Sequence, residues 1–572
     1  MHNPDPIRLA ILTRALSAAA DEMGLNLVRS AFSTIVRESR DCSTAILSPE
    51  GDVVAQAEMI PIQTAGLGGS FRQAVKILDL SQINEQSAIL MNDPYSGGQH
   101  LNDIILFQPI FDDGHLLGWV GNTAHHLDIG GGAAGVNTTA TELIQEGIII
   151  PPILIDVERD WNDGVVQRLI FANIRTAEVG LGDINAQFAA NHIGKERVRE
   201  LARREGREAL QVAMAATLDH SERSMRAAIA EIPDGAYDGE AFIDRDVFED
   251  KPIGIRVQVR VTGSEIVLDF SGTSPQVKGM FNCPLASTRA AVITAVRSIF
   301  ADRDFPVNDG CHRPLTLEVP TGTVLNPNPG APVRARMQAS YRTMDAVHAA
   351  LGKAVPDLVP AQGFNSTTGV YLSQPASNGK ATIYADLPGG GYGGAKGYDG
   401  AHALDAILGS CRRVPIEAAE QVYSFVKIRS QELNRDSCGA GEWRGGLGYT
   451  QQLEILEPGV TLTIYTDHHK MPARGLAGGQ DGTPGKLRVR RGKTVIDLGA
   501  SATFPLEVGD IVELTLGGGA GWGDPMLRRN SQIADDLTNG YITEDYARRH
   551  HGWSPPVEEQ YAAVRSPVLE RS

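Results

Sequence analysis

The sequence predicts a mixed, multi-domain α+β protein, with helices mainly in its N-terminal half and glycine-rich short strands in its C-terminal half. Apolar residues recur at helical spacing over 7–31 and again from 183 to 232. Short apolar runs bounded by Gly, Asp and Pro recur from residue 42 onward, as strands do. Much of the chain's complement of 62 glycines falls in 362–525, where long helices would be costly.

Residues 7–31 (IRLAILTRALSAAADEMGLNLVRSA) read as one amphipathic helix. CSTAILSPEGDVVAQAEMIPI reads as a hairpin, two apolar runs about the turn Pro49-Glu50-Gly51-Asp52. SAILMNDPY, DIILFQPIF and LLGWVGNTAHH follow as short strands. From Asp183 to Ile232 the pattern is helical, with Gly194, Gly206 and the closing Pro233 as its breakers. PDGAYDG (233–239) marks a boundary between a metal-binding domain over 1–235, with long helices at its end, and a glycine-rich β-dominated region over 236–525. There GIRVQVRVTGSEIVLDFSG alternates as a hairpin about Thr262-Gly263-Ser264. Helices are expected at 286–300 and near 338–354, on either side of the Pro/Gly passage TGTVLNPNPGAPV. The polar stretch 526–572 is expected to be a C-terminal tail, with one helix before a loose end.

The balance of 52 basic against 69 acidic residues gives a net charge of −17, which disfavours nucleic acid or an anionic membrane as partner. RELARREGR (199–207) mixes Arg with Glu and reads as a solvated helix face. The five cysteines show no CxxC spacing, which fits a reducing compartment and argues against thiolate zinc. The opening MHNPDPIRLA lacks the basic and apolar regions of a secretory leader, and no run reaches about 18 apolar residues. The expected location is the cytoplasm.

Chemistry concentrates in NDPYSGGQHLNDIILF (92–107) and GNTAHHLDIGGG (121–132). His100 and Asp103 stand three apart and His125 follows 25 residues after His100, all beside short strands that can bring them together. Imidazole and carboxylate suit one divalent cation of borderline character, zinc or manganese, and a set incomplete in sequence leaves room for water. The competing reading is that His-x-x-Asp arises by chance and that buried histidines are simply hydrogen-bonded. PGGGYGGAKG (388–397), WRGGLG and LGGGAGWGDP are not nucleotide fingerprints. The first lacks GxxxxGK[ST], and the others lack a strand–helix unit with an acidic residue downstream. They read as tight turns with positive φ and close backbone approach.

Ordered segments along the chain resemble the hydantoinase B/oxoprolinase family. These are RESRDCSTAILSPEGDVVAQAEMIPI (37–62), NDPYSGGQHLNDIILF, ELIQEGIIIPPI (142–153), GDINAQFAAN (182–191), LDFSGTSPQVKGMFNCP (268–284) and NPNPGAPVRAR (326–336). DSCGAGEWRGGLG (436–448), GLAGGQDGTPG (475–485) and LGGGAGWGDP (516–525) complete the set. The family includes subunits of ATP-dependent N-methylhydantoinase, 5-oxoprolinase and caprolactamase, and is related to acetone and acetophenone carboxylase large subunits. The resemblance implies a metal held by His100, Asp103 and His125, with Asp41 of RESRD as a fourth ligand and His126 and Asp128 as outer neighbours. Since alternation turns His126 away from His125, it is at most a supporting group. Many relatives carry IPxH where this chain has Ile60-Pro61-Ile62-Gln63, so Gln63 replaces a histidine and keeps only hydrogen bonding.

The resemblance further implies a hydantoinase A-type partner in a heterodimer or heterotetramer. That partner would bind ATP and Mg and phosphorylate a small cyclic amide, and the chain itself would open the ring. The metal would activate water or steady an oxyanion. A carboxylase subunit is the alternative, and a non-catalytic scaffold for an ATPase partner is a third reading.

Overall fold

The computed structural model describes residues 5–57, 59–375 and 380–555. Helix α1 (Pro6–Ser30) starts where the Asp5 carboxylate accepts the Ile7 N–H and Pro6 fills the first turn. After the single turn α2 (Thr34–Arg37) come β1 (Cys42–Leu47), β2 (Val53–Gln56), α3 (Pro61–Ile77), β3 (Ser87–Met91), β4 (Asp103–Asp112), β5 (His115–His125) and β6 (Ile153–Asp156). These strands form one antiparallel sheet in the order β2-β1-β5-β4-β3-β6. The β4–β5 hairpin turns on Asp113 and Gly114, both at positive φ, as a tight two-residue turn demands.

The sheet is covered on both faces, so alternate residues of one strand enter different cores. Trp119 joins Leu47, Phe71 and Phe107 against α3, while Val120 joins Met23 of α1 and Ala190 of α5. Short α4 (Val165–Phe171) leads to α5 (Ala177–Glu205) and α6 (Arg207–Ile229). The break between them falls at Gly206, as the sequence predicts, and that residue sits at φ +92. Helix α5 starts earlier than periodicity suggests, because Gly180 and Gly182 admit the rings of Phe171 and Phe32 against it.

A second sheet, β10-β9-β8-β7, comprises β7 (Gly235–Ile243), β8 (Ile253–Thr262), β9 (Glu265–Asp269) and β10 (Leu315–Glu318). Only β10 joins in parallel. Helices α7 (Leu285–Ser298) and α8 (Arg336–Leu351) bridge this sheet to α3. Gly239 lets α8 lie directly on β7, since a side chain there would strike the Ala346 carbonyl.

Two further antiparallel sheets share one core built round Phe364, Leu372, Leu453, Ile464, Val489 and Leu514. One is β12-β11-β15-β18, from β11 (Gly369–Pro375), β12 (Ala381–Asp386), β15 (Thr461–Tyr465) and β18 (Ser501–Pro505). The other, β13-β14-β19-β16-β17, follows the small helix α9 (Ile416–Val422). It uses β13 (Val426–Leu433), β14 (Tyr449–Ile455), β16 (Lys486–Arg491), β17 (Thr494–Asp497) and β19 (Ile511–Leu516).

The glycine clusters are not mainly turns. Extended segments near 391, 440, 446, 480 and 519 lie side by side and bond through their main chains: Gly391 N–H to Gly517, Gly519 to Gly446, Gly439 to Gly519, Gly521 to Gln480. A Cβ on Gly519 would sit 1.8 Å from the Tyr392 oxygen, and one on Gly446 1.8 Å from that of Ala401. Here glycine is needed for space; among the glycines of these runs, positive φ is confined to Gly397, Gly478 and Gly523.

Past residue 525 the chain forms two helices, α10 (Asn530–Thr538) and α11 (Glu544–His551), where one was expected. Gly540 at φ +70 ends the first, and the Thr543 hydroxyl caps the second. Buried Arg528 ties this region down, pairing with Asp399 at 2.8 Å and Asp536 at 2.7 Å. The loose end expected beyond residue 555 lies outside the described residues.

Two alanine substitutions test the glycine account. Gly519→Ala should lower the melting temperature steeply or prevent soluble folding. Gly69→Ala, on α3 with open space around it, should raise stability by about 0.5–1 kcal/mol in a denaturant titration. Equal effects would refute the spatial argument.

Candidate metal centre

The site sits where three strand ends meet two helix starts. Asp103 opens β4 and His125 closes β5, and the register places them directly opposite each other. His100 lies in the turn into β4, its carbonyl accepting the Asp103 N–H at 2.9 Å. Asp41 precedes β1, whose pairing with β5 brings the Asp41 carbonyl to the His125 N–H at 3.0 Å. Gln63 comes from the first turn of α3 and Arg336 from that of α8.

His100, Asp103 and His125 are buried, and one donor atom from each lies within 4.8 Å of the others. His100 Nδ1 stands 2.8 Å from Asp103 Oδ2 without a properly aligned hydrogen bond. His125 Nδ1 is 3.8 Å from Asp103 Oδ1 and 3.4 Å from Asp41 Oδ2. Burial, reinforced by Arg336, brings His100 down to about 4; burial and Arg334 hold His125 well below the usual imidazole range. Both rings are therefore neutral at pH 7 and offer lone pairs. Burial opposes charge on Asp103, but the groups packed against it, the Arg336 guanidinium foremost among the permanent cations, hold that carboxyl below its ordinary value. Burial, then repulsion from Asp103, pushes Asp41 up to about 8.

This donor set fits a divalent cation. Nitrogen and oxygen ligands of zinc sit about 2 Å from the ion, so neighbouring donors stand a few ångströms apart, as here. The unsatisfied His100 Nδ1, facing a carboxylate oxygen, is what an ion between them would satisfy. The cavity measures about 30 Å³, enough for an ion with a water or two. Met337, Tyr371, Leu387 and Tyr465 close its other side.

The remaining sequence-predicted residues take different positions. Gln63 Nε2 donates to Asp41 Oδ1 at 2.8 Å and to Asp103 Oδ1 at 3.3 Å, bridging both carboxylates. His126 faces the other way, with Nε2 3.1 Å from Gln187 Oε1 of α5. Asp128 pairs with Arg175 at 3.0 Å and takes no part in the cluster.

Sequence reasoning missed two arginines. Arg336 Nη2 donates to Asp103 Oδ2 at 2.6 Å and Gln99 Oε1 at 3.0 Å, and its Nε donates to Ser287 Oγ at 3.1 Å. Arg334 Nη2 donates to the Tyr371 hydroxyl at 3.0 Å and stands 3.4 Å from His125 Nε2. The available signal was RAR itself, two like charges between a Pro/Gly passage and an apolar helix.

The hydantoinase B/oxoprolinase family model matches residues 5–525. The chain belongs to this family. It is 32% identical over 571 residues to a protein provisionally named as the B component of a D-/L-hydantoinase from Pseudomonas sp. (strain NS671), covering 96% of this chain and 95% of that one. The caprolactamase beta chain of Pseudomonas jessenii is 30% identical over 565 residues, covering 96% of each. A crystal structure of that organism's ATP-dependent caprolactamase superposes with a TM-score of 0.88 at 28% identity, covering 97% of this chain and 98% of that one. An acetone carboxylase shares the fold, with a TM-score of 0.84 at 18% identity over 99% of this chain and 84% of that one. Among the described residues no helix is long and apolar enough to cross a membrane.

Replacing Arg336 with Met should cost about 3–5 kcal/mol, because Asp103 would be left buried with its guanidinium partner gone. Chemical denaturation measures this, and a loss below about 1 kcal/mol would reject the pairing as a structural necessity.

Proposed function

We propose that this chain is the metal-carrying subunit of an ATP-dependent cyclic amide hydrolase. The observation that carries the reading is the convergence of His100, Asp103 and His125 on one small buried cavity. The names of its relatives, the B component of a hydantoinase and the beta chain of a caprolactamase, supply the reaction class and imply a second subunit. That partner, of hydantoinase A type, would bind ATP with Mg and transfer its terminal phosphoryl group to the amide carbonyl oxygen, releasing ADP, so that an unreactive amide becomes an imidate-like electrophile with phosphate as leaving group.

His100, Asp103 and His125 would hold one zinc or manganese ion, with Asp41 as a fourth ligand. When bound, such an ion supplies Lewis-acid polarisation of oxygen and lowers the pKa of water. Arg336 fixes one carboxylate oxygen of Asp103, and Gln63 holds Asp41 and Asp103 at a set separation. Met337, Leu387 and the two tyrosines exclude bulk water, which strengthens every charge interaction inside.

Small-molecule sites usually span about 300–1,000 Å³, so a ring needs more room than this cavity of about 30 Å³ offers. Two main-chain bonds, Ile62 N–H to Leu408 and Arg412 N–H to Ser39, tie the segment that lines the cavity through Gly409 and Cys411 to the N-terminal part of the chain.

Elemental analysis of the purified chain should find about one zinc or manganese per molecule. His100→Ala should lose the metal and all ring-opened product while keeping its fold and its partner. Retained turnover in that variant would show the cluster to be incidental. The chain alone should neither hydrolyse ATP nor open a ring, and ATP-dependent activity without a partner would reject the division of labour. In the reconstituted pair, a panel of cyclic amides and ketones, read by ADP release, separates hydrolase from carboxylase.

A further inference from the structure

Among the described residues five arginines are buried, each no more than 5% exposed: Arg334, Arg336, Arg342, Arg444 and Arg528. The last four have carboxylate partners, Asp103 at 2.6 Å, Asp345 at 2.9 Å, Asp536 at 2.8 Å and Asp536 again at 2.7 Å, respectively. Arg334, 2% exposed, forms no ion pair among the described residues. Glu146 lies behind the same loop, but its oxygens accept the main-chain N–H groups of Val333 and Arg334 at 2.9–3.1 Å. A guanidinium taken out of water without an anion is costly, and folded proteins pair such charges.

The guanidinium of Arg334 keeps one donor unmet beside the cavity wall. Arg334 Nε has no partner and is sealed from solvent. It shares an edge of the planar guanidinium with Nη2, which donates to the Tyr371 hydroxyl at 3.0 Å and stands 3.4 Å from His125 Nε2. Tyr371 accepts that bond, which leaves its own hydroxyl hydrogen to donate. Tyr371 also lines the cavity that holds the histidines and Asp103.

We propose that Arg334 and the Tyr371 hydroxyl form an anion subsite beside His125 that takes a phosphoryl-type oxyanion. Guanidinium forks bind such oxygens two at a time. Resting on the hydrolase reading above, the subsite would hold the phosphoryl group of the activated ring next to the ring-opening centre, or the phosphate released there. Arg334 is thus kept unpaired by the protein so that substrate completes the pair.

The test uses the purified full chain titrated with inorganic phosphate and, separately, with methyl phosphate, by calorimetry. Both the wild type and Arg334→Lys should fold, and the variant should bind the preferred probe at least about tenfold more weakly. Tyr371→Phe should weaken it less. Tighter methyl phosphate binding identifies a group that arrives attached to substrate, and tighter inorganic phosphate binding identifies a released product. Arg334→Met adds a readout that a purely structural arginine could not give. Removing an unpaired buried charge should leave the melting temperature unchanged or raised, and phosphate binding should vanish. No binding of either probe to the wild type, equal binding by the Arg334 variants, or a lowered melting temperature in Arg334→Met would overturn the subsite. Metal content measured on the same samples keeps the two readings apart: a metal-free wild type fails the metal proposal, while the titration still decides the subsite.

Discussion

Arg336 and Asp103 meet at 2.6 Å with both side chains almost out of reach of water. Neither can be tolerated there alone, so the pair commits the first turn of α8 to the end of β4, although 233 residues separate them. Much of the architecture follows from that junction. Helix α3 reaches it with Gln63, β5 with His125 and the 142–146 segment through Glu146, which grips the main chain at Val333 and Arg334 just ahead of α8. The cavity is a by-product of several elements converging on one desolvated charge pair, and its polar lining is therefore held rigidly by groups that also stabilise the fold.

The fold class and most elements were legible in the sequence because they depend on local pattern. The α1 spacing, the 42–56 hairpin, the break at Gly206 and the turn at Gly263 each carry a short-range signal of period, cap or turn. His100 and Asp103 were legible as candidates because both lie in one turn-and-strand segment, and His125 because β5 returns antiparallel to β4. Arg334 and Arg336 were not, since their significance lies in what faces them across the molecule, which spacing cannot express. The same limit applies to the C-terminal helices, where a polar stretch hides the buried bonds of Arg528 to Asp399 and Asp536.

The glycine-rich passages were read correctly as close backbone approach, and as turns correctly only at a few positions such as Gly397 and Gly478. Composition cannot separate these two uses of glycine, one of which is about φ and the other about volume. What distinguishes them is a neighbour from elsewhere in the chain, such as the Tyr392 carbonyl against Gly519 or the Gly521 carbonyl against Gly479.

That bundle also has a temporal side. Its last component, around 517–523, bonds to segments near 391, 446 and 480, so none of these can complete its set of neighbours until more than five hundred residues have been made. During synthesis the earlier glycine runs leave the ribosome as bare main chain, rich in unmet donors and acceptors and next to strands whose core is still open. Closure of such distant contacts is slow and exposes the nascent chain to aggregation. The six-stranded sheet and the helices packed on it all lie before residue 230 and have most of their neighbours earlier, so the glycine bundle is the part that closes last.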